Sequence, residues 1–261
     1  MRESDRLLRM THPLDGARAK IKRAGQHLRR LDAETDAFAK THRGHFTANP
    51  QRQSDGWDLW IVRYIADQPK VEPPLRIGAI AGDVAHNLRS ALDHLVCQLS
   101  QGTCTDTQFP ICDTEELWRA ELKKKRLDGV GDRHRAMIER VQPYHGRQIG
   151  RSLRALREMS NADKHRLLTP VTAVSPLRAP RFGTPGVVDV EVGPLGWRPV
   201  KDGAEIMRFR TRLRYYVPNM DVDFSQSFTI VFGEAYPVTQ FNMRTVRNEV
   251  RRLIGRFARE F

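Results

Sequence analysis

The segment IGAIAGDVAHNLRSALDHLVCQL, residues 77–99, decides the reading of the fold. On a helical wheel at about 100° per residue, Ile77, Ile80, Val84, Leu88, Ala91, Leu92, Leu95, Val96 and Leu99 fill one wide arc. An arc of that width belongs to a helix at the centre of a bundle. The other arc holds Asp83, His86, Asn87, Arg89, Ser90, Asp93, His94 and Cys97. Solvated helix faces are usually built from Lys, Glu and other strong helix formers. This arc has neither Lys nor Glu. Its short polar groups compete with the helix backbone for hydrogen bonds. Such a face suits a site, or a hydrogen-bonded network joining helices.

Working outward, residues 14–42 predict a helix, because Ala17, Ile21, Ala24, Leu28, Leu31 and Phe38 recur at three- and four-residue steps. Gly44 and Asn49-Pro50 end it. Trp57 to Ala66 reads as a strand with apolar residues on both faces. Gln101 to Asp113 is a loop containing Phe109-Pro-Ile111. Helices are expected over 114–126, 132–142 and 147–167. After Pro170 alternation replaces the helical period: Val188, Val190, Val192, then Met207, Phe209, Thr211, Leu213, Tyr215, then Phe224, Phe228, Ile230, Phe232. A basic helix over 243–261 closes the chain. The expected fold is α+β: mainly a helical bundle, then a small antiparallel β-sheet and a C-terminal helix. The natural division is 1–170 as the bundle, with its strand near 57–66, and 171–261 as sheet plus closing helix. Pairing of the early strand with the later sheet would make the two one unit.

Of 261 residues, 39% are hydrophobic, enough for a real core, which excludes wholesale disorder. No apolar run approaches the roughly 20 residues needed to cross a bilayer. The N-terminus is charged from Arg2 and shows no apolar leader. Three cysteines do not make a disulfide framework for this length, so a cytoplasmic protein without membrane contact is expected. Net charge is +13. Residues 1–45 carry 11 basic against 6 acidic side chains, 118–166 carry 14 against 6, and 244–261 carry 6 against 2. Residues 46–117, which hold the polar arc, carry 5 against 10. Basic helices around an acidic site segment point to RNA or another polyanion as partner. Arg outnumbers Lys 35 to 9, so a compositional bias toward Arg accounts for part of this charge.

Three chemistries fit the polar arc. Arg89 and His94 could act together, the histidine moving a proton and the arginine stabilising a phosphate. His86, Asp83, Asp93 and His94 could surround a metal, but the His-to-His spacing of 8 is not the i, i+4 of a helical metal pair. No metal ligand set and no cofactor are therefore assigned. Or Asp93 orients a histidine and the arc only joins helices. A second segment, Asn161-Ala-Asp-Lys-His-Arg166, ends the 147–167 helix. Asp163 lies at the edge of its buried stripe and needs a partner, which His86, Arg89 or His94 could supply. Farther on, Arg208, Arg210, Arg212 and Arg214 project from one strand face, roughly 6.5–7 Å apart by strand rise. The row could track a nucleic-acid backbone, or pair with Asp189, Glu191, Asp221 and Asp223.

The run from Gly82 to Leu95, with Phe109-Pro-Ile111 and Asn161-Ala-Asp-Lys-His-Arg166, resembles the ordered motifs of a group of uncharacterised bacterial proteins. That resemblance spans about residues 75–170 and implies no activity. Arg89-x4-His94 is similar to the Arg-x4-6-His motif of HEPN-domain ribonucleases. The second resemblance implies a helical, metal-independent endoribonuclease of toxin or defence type, with Arg89 and His94 as catalytic pair across a homodimer. In that reading Asp93 or Asp163 would set histidine orientation, and His86 completes the candidate catalytic set. Ser90 departs from the Asn, Asp or His usual after the arginine, and the motif stands unusually far from the end of the chain.

Overall fold

The computed structural model describes residues 12–41, 44–66, 73–100, 104–165, 170–176, 187–192, 203–211, 226–232 and 238–261. Along the chain these form α1 (Asp15–Thr41), β1 (Gly44–Arg52), β2 (Asp58–Ala66), α2 (Leu75–Leu99), α3 (Glu115–Lys123), α4 (Asp132–Glu139), a 3-10 turn at Pro143–His145 and α5 (Gln148–His165). Then follow β3 (Pro170–Pro176), β4 (Val187–Val192), β5 (Glu205–Thr211), β6 (Gln226–Phe232), β7 (Val238–Thr239) and α6 (Gln240–Phe257). The fold is α+β, mainly helical, with a small antiparallel sheet and a C-terminal helix.

Two compact units divide the chain; one junction falls at Thr169/Pro170, as expected, but residues 33–74 group with the sheet and residues 232–261 with the bundle. The first unit takes Met1–Asp32, Leu75–Thr169 and Phe232–Phe261; the second takes Ala33–Pro74 and Pro170–Val231. The C-terminal helix therefore belongs with the bundle and not with the sheet. The reason is α6's apolar stripe of Met243, Val246, Val250, Leu253, Ile254 and Phe257, all buried. It packs on α2 and α5.

In the first unit α2 is the central element. Its whole apolar arc is buried, from Ile77 through Leu99. It packs against α5, whose Leu153, Leu156 and Met159 are also buried. Thr114 caps α3 by accepting a hydrogen bond from Leu117 N at 3.3 Å, and Thr239 caps α6 in the same way. Among the described residues no helix is long and apolar enough to cross a membrane.

The second unit holds a sheet of order β1-β2-β5-β4, antiparallel at each pairing. The strand expected near 57–66 is thus an inner strand, flanked on both sides, which explains its apolar run. Its partner β1 falls where the sequence predicts only a helix end. Pro50 sits in β1 opposite Trp60, a position tolerated because β1 is an edge strand. In β4 the register slips between Val188 and Glu191, where Asp189 takes a φ of 51°. This is a β-bulge, and it re-aims the Asp189 side chain.

The cysteine reading needs one correction. Cys97, in the last turn of α2, is bonded to Cys104, with Cα atoms 4.8 Å apart. Cys112 is free and buried, and burial pushes its thiol up to about 11.

Candidate functional site

The polar arc of α2 divides into two parts with different surroundings. The first part holds the loop around Phe109. A buried loop carries backbone N–H and C=O groups that must find partners. Here the Gln108 N–H donates to the Arg126 carbonyl at 3.1 Å, and side chains supply partners from Phe109 onward. The Phe109 N–H donates to Asp93 Oδ1 at 2.9 Å, and the Phe109 carbonyl accepts from Arg89 Nη2 at 2.6 Å. Arg89 and Asp93 also face one another at 3.4 Å. Gln142, fully buried, accepts from Cys112 N at 2.9 Å and donates to Pro110 O at 3.0 Å. Arg157 donates to Ile111 O at 3.2 Å and, with Arg154, holds the Asp113 carboxylate. Burial would raise the Asp113 pKa, but Arg157 and Arg154 outweigh it and hold it below the ordinary range.

The Arg89 guanidinium is thus engaged with the Phe109 carbonyl and Asp93. Its side chain is only 14% exposed. Burial lowers its pKa, and the Asp93 charge opposes that shift. His94, one residue past Asp93, points elsewhere. It is exposed, and its ring lies over α1 at Gly16, where an added Cβ would come within 3.3 Å of Nδ1. Arg89 and His94 are not brought together within the chain.

The second part is a cluster from three helices. Asp83 and His86 come from α2, Asp163 from α5 and His27 from α1. His27 Nδ1 lies 3.5 Å from Asp83 Oδ2, with His27 12% and Asp83 57% exposed. His86 is exposed. Asp163 lies directly on Gly82, where a Cβ would approach its Cγ to 2.6 Å. Burial first, then the Asp83 charge, raise the Asp163 pKa, and His86 opposes the rise. Glycine inside a helix costs about 1 kcal/mol relative to alanine. Gly82 is the residue that lets a carboxylate enter the α2–α5 seam.

His86 and Asp163 are thus grouped, as the sequence suggests, but with Asp83 and His27 and not with Arg89. His27 carries no signal in the sequence: it stands beside Leu28 on an amphipathic helix and looks like a flank residue. Its role appears only when α1 packs on α2. The side chain of His165, and Arg166, lie outside the described residues. Among the described residues no group of three His, Cys, Asp or Glu side chains is arranged to hold a metal ion.

The arginine row is paired where it is described. Arg208 lies 2.7 Å from Glu205 and 3.8 Å from Glu191. Arg210 pairs with Asp55, lies 3.4 Å from Asp189 on the bulge, and covers the Trp57 ring at 5.3 Å. The Glu205 pair lies within β5 and the others are cross-strand or neighbouring-loop pairs; together they leave the two cations little free charge for a phosphate. Arg212, Arg214, Asp221 and Asp223 lie outside the described residues.

No family model matches the chain, and neither a curated protein nor a solved structure matches it.

Proposed function

We propose that this protein acts on RNA, and that its chemistry belongs to the Asp163–His86–Asp83–His27 cluster and not to an Arg89–His94 pair. The observation that carries this reading is the Asp163 carboxylate seated on Gly82, its pKa raised beside Asp83 and His86. Two neighbouring titratable groups in unlike environments are what acid–base catalysis needs. A carboxylate made more basic by its surroundings is a better proton acceptor.

RNA is the substrate class that such a pair can cleave without further groups, because it carries its own nucleophile. Asp163 takes the proton of a 2′-hydroxyl as its oxygen attacks phosphorus. The P–O5′ bond breaks, and His86 gives a proton to the leaving 5′-oxygen. The products are a 2′,3′-cyclic phosphate and a free 5′-hydroxyl. Asp83 holds His27 and keeps the local field negative, which raises the basicity of Asp163. The +13 net charge supplies long-range attraction for such a substrate.

The test is product analysis on a labelled RNA in EDTA. The reading expects a 2′,3′-cyclic end that is lost in Asp163→Asn and His86→Ala. A second reading, a non-catalytic binding protein, is favoured by the Phe109 cradle, since that network accounts for Arg89 and Asp93 without any reaction. Absence of cleavage by folded wild-type protein, where a control nuclease cleaves, would select it.

A further inference from the structure

Helices α1 and α6 enclose a groove of about 500 Å³, lined by Arg18, Lys22, Arg29, Arg247 and Arg251 over a floor that includes Ile21 and Ile254. Five cations and no carboxylate line it. Of the acidic residues of these helices, Asp15 pairs with the groove's Arg18 at 2.9 Å, while Asp32 is engaged with Arg244 at 2.6 Å and Glu249 with Arg252. Among the described residues Lys22, Arg29, Arg247 and Arg251 have no carboxylate partner.

Gathering like charges in one concavity is unfavourable, and the structure adds a further cost. Gly25 interrupts the middle of α1, and the Arg247 guanidinium lies against it: an added Cβ would meet Nε at 3.0 Å and Nη2 at 3.1 Å. Arg247 Nε is buried and has no hydrogen-bond partner among the described residues. A buried donor without an acceptor is costly unless a ligand supplies one. Arg18, Lys22, Gly25 and Arg29 follow one another at four- and three-residue steps, roughly 4.5–6 Å apart along the axis. They form a stripe, and Arg247 and Arg251 face it one turn apart.

We propose that this groove binds phosphate groups, with Arg247 at its centre. Two sources share that chemistry: the backbone of an RNA strand and the polyphosphate of a nucleotide. The site is separate from the acid–base cluster, because His27 is roughly 160° around α1 from Gly25. It does not rest on the proposed ribonuclease activity. A groove with its apolar residues in the floor does not suit a membrane surface, which needs apolar groups that project.

The experiment is fluorescence anisotropy of the full-length protein with a labelled 2′-O-methyl RNA oligonucleotide, which lacks the nucleophile and so reports binding alone. The wild-type protein should bind at low salt. Arg247→Ala should weaken binding at least tenfold and lower the slope of log affinity against log salt by about 1. Gly25→Ala, which pushes the guanidinium off its seat, should weaken it severalfold, whereas Arg208→Ala on the sheet should leave it within twofold. Circular dichroism checks that each variant is folded. Competition by ATP at equal phosphate concentration would assign the groove to a compact polyphosphate, and failure of ATP to compete would assign it to the backbone. Unchanged binding in folded Arg247→Ala would overturn the proposal. So would wild-type protein that ignores both probes, or that binds only phosphatidylserine vesicles.

Discussion

The Asp163 carboxylate lies so close on Gly82 that the two helices carrying them cannot accept a methyl group between them. Gly82→Ala should destabilise the protein by about 1–3 kcal/mol through overpacking, outweighing the roughly 1 kcal/mol that alanine gains in helix propensity. Adding Asp163→Ala should recover most of the loss, since it removes the group that clashes. Urea denaturation of the two single variants and the double variant measures this as a coupling energy. Additive effects would contradict the contact.

The two aspartates on the 109–163 framework should respond to pH in opposite ways. Asp163 has its pKa raised, so the folded state holds the proton more tightly than the unfolded chain. Its ionisation weakens the fold as pH rises from about 3.8 through the raised value, and the penalty is complete above it. Asp163→Asn should therefore stabilise the protein near neutral pH, and the gain should vanish below pH 3.8. Asp113 has its pKa lowered, so its contribution is present above 3.8 and disappears as pH falls through the lowered value. Asp113→Asn should be destabilising at neutral pH and neutral in strong acid. Thermal melts across pH 2–7 would show the two difference curves; the same sign for both would be inconsistent with the pairing described.

Arg89 and His94 should separate in a stability assay. Arg89→Ala leaves the Phe109 carbonyl and the Asp93 carboxylate without their partner, at a cost of about 2–4 kcal/mol. His94→Ala changes an exposed side chain and should stay within about 0.5 kcal/mol. Hydrogen exchange at the Phe109 amide should speed up in Asp93→Ala, which removes its acceptor. Equal destabilisation by the two alanine variants would argue that the residues work as a unit.

The cysteines allow a direct chemical check. Peptide mapping without reductant should find Cys97 joined to Cys104. Cys112 is buried with its thiol pushed up to about 11, so iodoacetamide should modify it only after unfolding. Fast alkylation of Cys112 in the native protein, or three free thiols at isolation, would count against this arrangement.

Periodicity made α2 and its two arcs legible from residues 77–99, because burial follows the wheel closely. It also found β2, since an inner strand needs apolar residues on both faces. It missed β1, whose Gly44, Asn49 and Pro50 carry a turn composition that only pairing with β2 turns into a strand. The site was half legible. Asp163 and His86 stood out as polar groups where a helix should bury carbon. Arg89 stood out for the same reason, but one sequence does not say whether a buried cation holds a substrate or a backbone carbonyl. That distinction depends on where Phe109 comes to rest, 20 residues away. His27 and Arg247 have no local signal at all, because each acquires its meaning from a glycine or carboxylate on another helix.

The most direct test of the central claim is cleavage of labelled RNA in EDTA by wild-type protein, Asp163→Asn, His86→Ala and His94→Ala, each verified as folded. The account predicts that wild-type and His94→Ala cleave at similar rates, while Asp163→Asn and His86→Ala fall by about a hundredfold or more. Loss of cleavage in His94→Ala with retention in Asp163→Asn would contradict it, as would a wild-type protein that leaves RNA intact beside an active control nuclease.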